Sequence, residues 1–230
     1  LVTLTELADT VAAISDVCAL PLVVDIDTGF GNALNVQRTI RAMERAGAAA
    51  VQLEDQAFPK RCGHFDGKAV IPLPEALVKL RAALDAREDS GLLVIARTDA
   101  AAVEGFEAAL ERAAAFVEAG ADMTFVEAPA SRHELARVAE LPVPQVANMV
   151  VGGRTPLLPQ ADLAEMGFGV ALYANAALQA AMRAMAEVLG TLKADGDVSR
   201  VMDRLAGFDE RQAMVDKARW DAREARYRDG

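Results

Sequence analysis

The 230 residues are 53% hydrophobic and 25% charged, enough for one sizeable buried core and unlike a disordered or fibrous chain. A formal net charge of -10 and a pI of about 4.8 argue against nucleic acid and anionic membrane as partners, because a polyanion would be repelled. No apolar stretch is long enough to span a bilayer and no charged-then-apolar leader is recognisable; the expected location is the cytoplasm, with Cys18 and Cys62 as reduced thiols.

The first twenty residues, LVTLTELADTVAAISDVCAL, read as a helix with Cys18 an inert buried thiol on it, feeding the apolar run PLVVDID (21–27). Five more such runs follow: AAVQLED (49–55), LLVIARTD (92–99), DMTFVEA (122–128), PQVANM (144–149) and GVALYA (169–174). Between them lie helical patterns such as NVQRTIRAMERAG, PEALVKLRAALDARED, GFEAALERAAAFVEAG and SRHELARVAEL, with Gly47, Gly120 and Gly167 where helices should stop. Strands alternating with helices imply a parallel sheet, and runs apolar almost throughout imply that both its faces are covered.

A (β/α)8 TIM barrel is preferred over a doubly wound sheet for two reasons. The first five runs end in polar residues on the inward alternation, namely Asp25, Asp27, Glu54, Arg97, Glu127 and Asn148, and barrel enzymes keep their chemistry at the C-terminal ends of the strands. The glycines of TGFGNA also lack the spacing of a dinucleotide-binding turn. Eight strands close such a barrel and six are visible. The first two β/α units are therefore expected to be missing, roughly 50 to 60 residues at about 30 per unit. Residues 1–174 form the barrel on this reading. Residues 175–230 form its eighth helix, Ala- and Met-rich over about 175–193, and a charged helical tail; the tail either packs against another subunit or is a solvated last helix.

Asp25 and Asp27 lie two apart, so in a strand their carboxylates share a face and repel unless a cation lies between them. A hard divalent ion such as Mg2+ suits that pair; the alternative is a turn in which Asp27 caps the glycines that follow. Glu54 at the same depth on the next strand favours the metal. The segment EDQAFPKRCGHFDGK places Lys60, Arg61, Cys62 and His64 within five residues, among Pro59, Gly63 and Gly67. Neighbouring cations lower a thiol's pKa and attract an anionic substrate, and glycines let such a loop open and close. Arg97 is suited to gripping a carboxylate with two parallel hydrogen bonds, or to a structural ion pair with Glu54 or Glu127, or to both. His133 is expected at the surface.

The stretches DIDTGFGNALNVQRTI, QLEDQAFPKRCGHFDGK, VIARTDA, FVEAP and NMVVGGRTP together resemble the isocitrate lyase and phosphoenolpyruvate mutase superfamily, in its short branch of methylisocitrate and 2,3-dimethylmalate lyases. That resemblance implies a βα barrel with a Mg2+ site (Mn2+ also serving), a mobile active-site loop, and a homotetramer that exchanges its eighth helix between subunits. By matching motif it implies Asp25 and Asp27 at the metal, with Glu54 an outer partner through water. It likewise implies Cys62 as the catalytic thiol, Gly63, His64 and Arg97 as carboxylate-binding groups with Lys60 beside them, and Glu127 and Asn148 as the remaining pocket residues. The implied reaction is retro-aldol cleavage of a 2-hydroxy di- or tricarboxylate to a 2-oxo acid and a carboxylate. Hydrolysis or decarboxylation of oxaloacetate, phosphorus-carbon bond chemistry, and a catalytically silent barrel serving as a binding module are the alternatives. The family's first two strands have no counterpart here, and FDGK after His64 departs from the more basic turn of methylisocitrate lyases.

Overall fold

The computed structural model describes residues 2–61 and 67–228. The chain divides into two compact units, Leu1–Ala174 and Asn175–Gly230.

In the first unit, helix α1 (Leu4–Ser15) opens with a capping box in which the Thr3 hydroxyl accepts from the Glu6 N–H and Glu6 reaches back to the Thr3 N–H. Cys18 lies beyond the helix, past Ser15, and is half-buried, which corrects the expectation of a buried helical thiol. The strands are β1 (Val23–Asp25), β2 (Ala50–Glu54), β3 (Leu93–Thr98), β4 (Met123–Val126), β5 (Val146–Asn148) and β6 (Val170–Leu172), one in each apolar run. Helices α2 (Ala33–Ala46), α3 (Leu73–Ala86), α4 (Phe106–Glu118), α5 (Arg132–Ala139) and α6 (Gln160–Met166) alternate with them. Gly47 and Gly167 end α2 and α6 in the left-handed conformation, as their positions in the sequence suggested.

Among the described residues all strand pairings are parallel, in the order β1-β2-β3-β4 and β5-β6, with a parallel bridge from Thr124 to Gln145 joining the two groups and one isolated antiparallel bridge between Gln56 and Val70. Strand order therefore follows chain order without a reversal, which is the winding of a βα barrel and not of a doubly wound sheet. Among the described residues β1 pairs only with β2 and β6 only with β5. Val23, Val170 and Leu172, which point to the inner face of these two strands, are correspondingly exposed.

Alternation along each strand sends one set of side chains outward and the other inward. The outward set, including Val24, Ile26, Val51, Leu53, Val94 and Ala96, packs with Val36, Ile40, Met43 and Leu80 of α2 and α3. The inward set is smaller: Ala50, Ile95, Met123, Phe125 and Val146 form an apolar floor. Each fully buried aliphatic or aromatic side chain contributes about 1.5–3 kcal/mol, so the outer layer dominates stability. The inner face above the floor is left to polar groups.

In the second unit, α7 (Ala176–Asp195) ends at Gly196 in the left-handed conformation, followed by a 3-10 segment (Ser199–Arg204), α8 (Phe208–Met214) and α9 (Lys217–Ala225). No residue of α7 is buried, and Leu178, Met182, Met185, Leu189 and Leu192 recur along it at alternating steps of four and three. No described helix is long and apolar enough to cross a membrane.

Candidate functional site

Strand register gathers the polar residues. Asp25 pairs with Gln52 on β2, and Glu54, two residues further along the same face, pairs with Arg97 on β3, which in turn pairs with Phe125 on β4. Asp25, Glu54 and Arg97 therefore rise above the apolar floor on the inner face, at the C-terminal ends of their strands.

Arg97 is the centre of the arrangement. Its guanidinium lies 5.0 Å above the Phe125 ring, and its Nε and Nη2 donate to Asp99 Oδ2 and Oδ1 at 2.9 and 3.3 Å. Glu54 lies 3.6 Å from Nε and Glu127 3.7 Å from Nη2, so both ion pairs expected from sequence are present, each longer than that to Asp99. Burial alone would favour loss of the Arg97 proton; the fields of Glu127, Asp99 and Glu54 overcome it and the pKa is raised. The Asp99 carboxyl is lowered: burial opposes its charge, but Arg97 and then Lys68, 3.0 Å away, prevail.

Glu54 is 2% exposed and neither carboxylate oxygen has a hydrogen-bond partner among the described residues. Burial pushes its pKa up to about 8, with Arg97 pulling the other way and Asp99 and Asp25 adding repulsion. Asn148 donates to Glu127 Oε2 at 3.1 Å, which leaves its own Oδ1 buried and unpartnered. Among the described residues, three buried acceptor atoms on this face thus lack donors. Such atoms are costly to leave bare, and they suit a site that receives a cation, water or ligand hydroxyls.

The two acids of DIDTGFG behave differently from a strand pair. β1 ends at Asp25, Asp27 has a φ of 49°, and the Asp27 N–H donates to Asp25 Oδ1 at 2.9 Å. The turn that begins there is held from below: buried Thr39 of α2 donates to the Gly29 carbonyl at 3.3 Å and buried Lys79 of α3 to the Thr28 carbonyl at 3.2 Å. Asp27 is paired with Lys60 at 2.6 Å. For Lys60, burial works against the charge, but the hydrogen bond to Asp27 and the fields of Glu54 and Asp25 outweigh it and its pKa is raised. The expectation that both carboxylates share a strand face is corrected accordingly: a turn, not the strand, sets the direction of Asp27.

Among the described residues no three acids, histidines or cysteines converge as a ready ligand cluster. The donor set still fits Mg2+, a hard cation that uses one or two carboxylates and keeps several waters. Asp25 and Asp27 could supply those carboxylates, and the bare oxygens of buried Glu54 could accept from cation-bound water.

The loop after β2 is anchored at both ends. Buried Gln56 exchanges two hydrogen bonds with the Arg61 backbone, at 2.8 and 2.9 Å, and Lys68 reaches buried Asp99. Cys62, Gly63 and His64 lie outside the described residues. His133 is exposed on α5, as expected.

Sequence reasoning missed Asp99, Asp55, Gln56 and Lys68. Asp55 accepts from the Thr98 hydroxyl at 2.7 Å and the Asp99 N–H at 2.9 Å, and lies 3.4 Å from Arg112 Nη1. Burial raises its pKa to about 6 against those hydrogen bonds. The signal was present for Asp99, which stands two residues after Arg97 in ARTD.

The family model for phosphoenolpyruvate phosphomutase matches residues 1–193. A 2,3-dimethylmalate lyase of Eubacterium barkeri is 43% identical over 211 residues, 91% of this chain and 73% of the relative. A 2-methylisocitrate lyase of Aeropyrum pernix is 44% identical over 206 residues, 89% of this chain and 66% of the relative. The chain thus spans about two-thirds to three-quarters of the length of these relatives. Two solved structures superpose closely: an oxaloacetate acetylhydrolase bound to 3,3-difluorooxalacetate, with TM-score 0.89 and 32% identity over 98% of this chain and 78% of that one, and a phosphonopyruvate hydrolase bound to oxalate and Mg2+, with TM-score 0.85 and 35% identity over 99% and 80%. With the motifs, the strand order and the inner-face site in agreement, the chain belongs to the phosphoenolpyruvate phosphomutase family of enzymes, within the superfamily that includes the isocitrate lyases.

Proposed function

We propose that this chain carries the active site of a Mg2+-dependent carbon-carbon lyase that cleaves a 2-hydroxy di- or tricarboxylate of the 2,3-dimethylmalate or 2-methylisocitrate type. The observation that carries the reading is Arg97: a buried guanidinium whose Nε and Nη2 are occupied and whose Nη1 has no acceptor among the described residues, beside the bare oxygens of Glu54 and Asn148. An anionic substrate entering an acidic protein needs such a fixed cation. The two lyase relatives support the reaction class.

In this reading Asp25 and Asp27 hold Mg2+, with Glu54 accepting from its water. When bound, the ion supplies Lewis-acid stabilisation of the charge that develops on the 2-hydroxyl and its carboxylate. Arg97 Nη1, with the Gly63 N–H, His64 and Lys60, orients the carboxylate of the fragment that departs. Glu127 and Asn148 line the same pocket, and the Asn148 Oδ1 accepts from a substrate hydroxyl. The 2-hydroxyl loses its proton to a base, the carbon-carbon bond breaks to give the 2-oxo acid, and the bond's electron pair passes to the other fragment as an enolate. Cys62 gives its thiol proton to that carbon, leaving a thiolate and a saturated carboxylate. The exposed 4-3-4-3 apolar seam of α7 supports assembly as a homotetramer through this helix.

A second reading, hydrolysis of oxaloacetate, is favoured by the likeness to oxaloacetate acetylhydrolase. Asp27→Ala and Arg97→Met separate the site from the fold: both should abolish turnover of 2,3-dimethylmalate while the far-ultraviolet spectrum stays that of the parent. Retained turnover in either variant removes the assigned site.

A further inference from the structure

We propose that Asp99 is the positioning residue for Arg97, holding Nε and Nη2 so that its open Nη1 faces the substrate carboxylate and the guanidinium does not close further onto Glu54 and Glu127; this rests on the reading of Arg97 as the carboxylate grip. The Asp99 side chain is wholly buried and meets Arg97 side-on through both oxygens, at 2.9 and 3.3 Å. A two-point contact of this kind fixes the plane of a guanidinium as well as its place. With Nε and Nη2 held, the end of the fork left for a ligand is Nη1.

Asp99 is in turn built in. Its N–H donates to Asp55 Oδ1 at 2.9 Å, and Asp55 is fixed by the Thr98 hydroxyl and by Arg112, which is clamped by Glu104 at 2.9 and 3.1 Å and donates to the Ile71 carbonyl at 3.0 Å. Lys68, whose side chain is only 2% exposed, brings a second cation to Asp99 Oδ1 at 3.0 Å. A carboxylate with so many fixed donors has little freedom to reorient.

Removal of Asp99 has a specific consequence because two other acids stand within reach. Glu54 and Glu127 lie 3.6 and 3.7 Å from the guanidinium, and the Glu54 oxygens have no other partner among the described residues. An unheld Arg97 would turn to them, and its open donors would no longer face the ligand. Asp99→Asn keeps one acceptor for Nε but loses the charge, so it should fall between the parent and Asp99→Ala.

The test is calorimetric titration of oxalate into the full chain saturated with Mg2+, for the parent, Asp99→Ala, Asp99→Asn, Arg97→Lys and the double variant Asp99→Ala/Arg97→Lys. The expected result is a loss of oxalate affinity of about 10-fold or more for Asp99→Ala, a smaller loss for Asp99→Asn, and a clearly smaller effect of Asp99→Ala once Arg97 is Lys. Parental affinity in Asp99→Ala overturns the proposal, as does an equal loss in both backgrounds, which would mark a merely structural residue. If Asp99→Ala does not fold, Asp99→Asn in both backgrounds carries the same comparison, and parental affinity there overturns it. Absence of oxalate binding by the parent, or parental affinity in Arg97→Lys, instead removes the Arg97 reading on which the proposal stands.

Discussion

The Lys60 ammonium lies 2.6 Å from the Asp27 carboxylate, so a cation from the loop after β2 already occupies the charge of an acid assigned to the metal. The pair is about one-third exposed on the lysine side and more so on the aspartate side, and ion pairs of that kind contribute about 0.2–1 kcal/mol. Lys60 and a divalent ion therefore compete for Asp27. Lys60→Met should tighten Mn2+ binding in the absence of substrate by about 2- to 5-fold, read by paramagnetic resonance titration; weaker binding would mean that Lys60 supports the metal site instead.

Glu54 sets a pH dependence on the metal-free protein. Its pKa is raised in the fold, from an ordinary 4.5 to about 8, so the folded state holds the proton more tightly than the unfolded chain does. The resulting stability is fully present below about pH 4.5 and is lost as pH rises toward 8. With chelator present, the unfolding free energy should fall over that window, and Glu54→Gln should flatten the fall by an amount on the order of a few kcal/mol in denaturant unfolding. An identical profile in parent and variant would show that Glu54 does not carry it.

Gly29 is needed for its backbone. Its φ is +84°, and a Cβ there would lie 2.4 Å from Val36 Cγ2 on the buried face of α2. Gly29→Ala combines left-handed strain with a clash in a packed layer, and should cost about 2–4 kcal/mol in denaturant unfolding. A change below about 0.5 kcal/mol would show that the turn relaxes freely.

These residues also show how far the sequence could be read. Apolar runs set between helical patterns located the six strands among the described residues, because period and punctuation are local properties. Glu54, Arg97, Glu127 and Asn148 were legible as inward strand-end residues, and the structure brings them together. The direction of Asp27 was not, because a left-handed backbone angle and a lysine 33 positions later decide it. Asp99 was passed over for a different reason: its role depends on Asp55 and Lys68 from another segment. Cys18 was misplaced because helical periodicity continues past Ser15 in the letters while the helix ends there in a turn, closed by the Cys18 N–H on the Ile14 carbonyl at 2.9 Å.

Cys62 carries the proton in the proposed reaction. A hydroxyl is a far weaker acid than a thiol, so Cys62→Ser should lose about 10²- to 10⁴-fold in turnover while still binding Mg2+ and oxalate; Cys18→Ser should change little. Near-parental turnover in Cys62→Ser would point to a chemistry that needs no thiol, with oxaloacetate decarboxylation and phosphonate cleavage the first to assay.

The most direct measurement is product analysis by proton NMR after incubation with 2,3-dimethylmalate, 2-methylisocitrate, oxaloacetate and phosphonopyruvate, each with Mg2+ and with excess chelator. The account predicts stoichiometric 2-oxo acid and saturated carboxylate from one of the two 2-hydroxy acids, with Mg2+ only. Turnover of oxaloacetate or phosphonopyruvate with neither 2-hydroxy acid cleaved, or full cleavage in chelator, would contradict it.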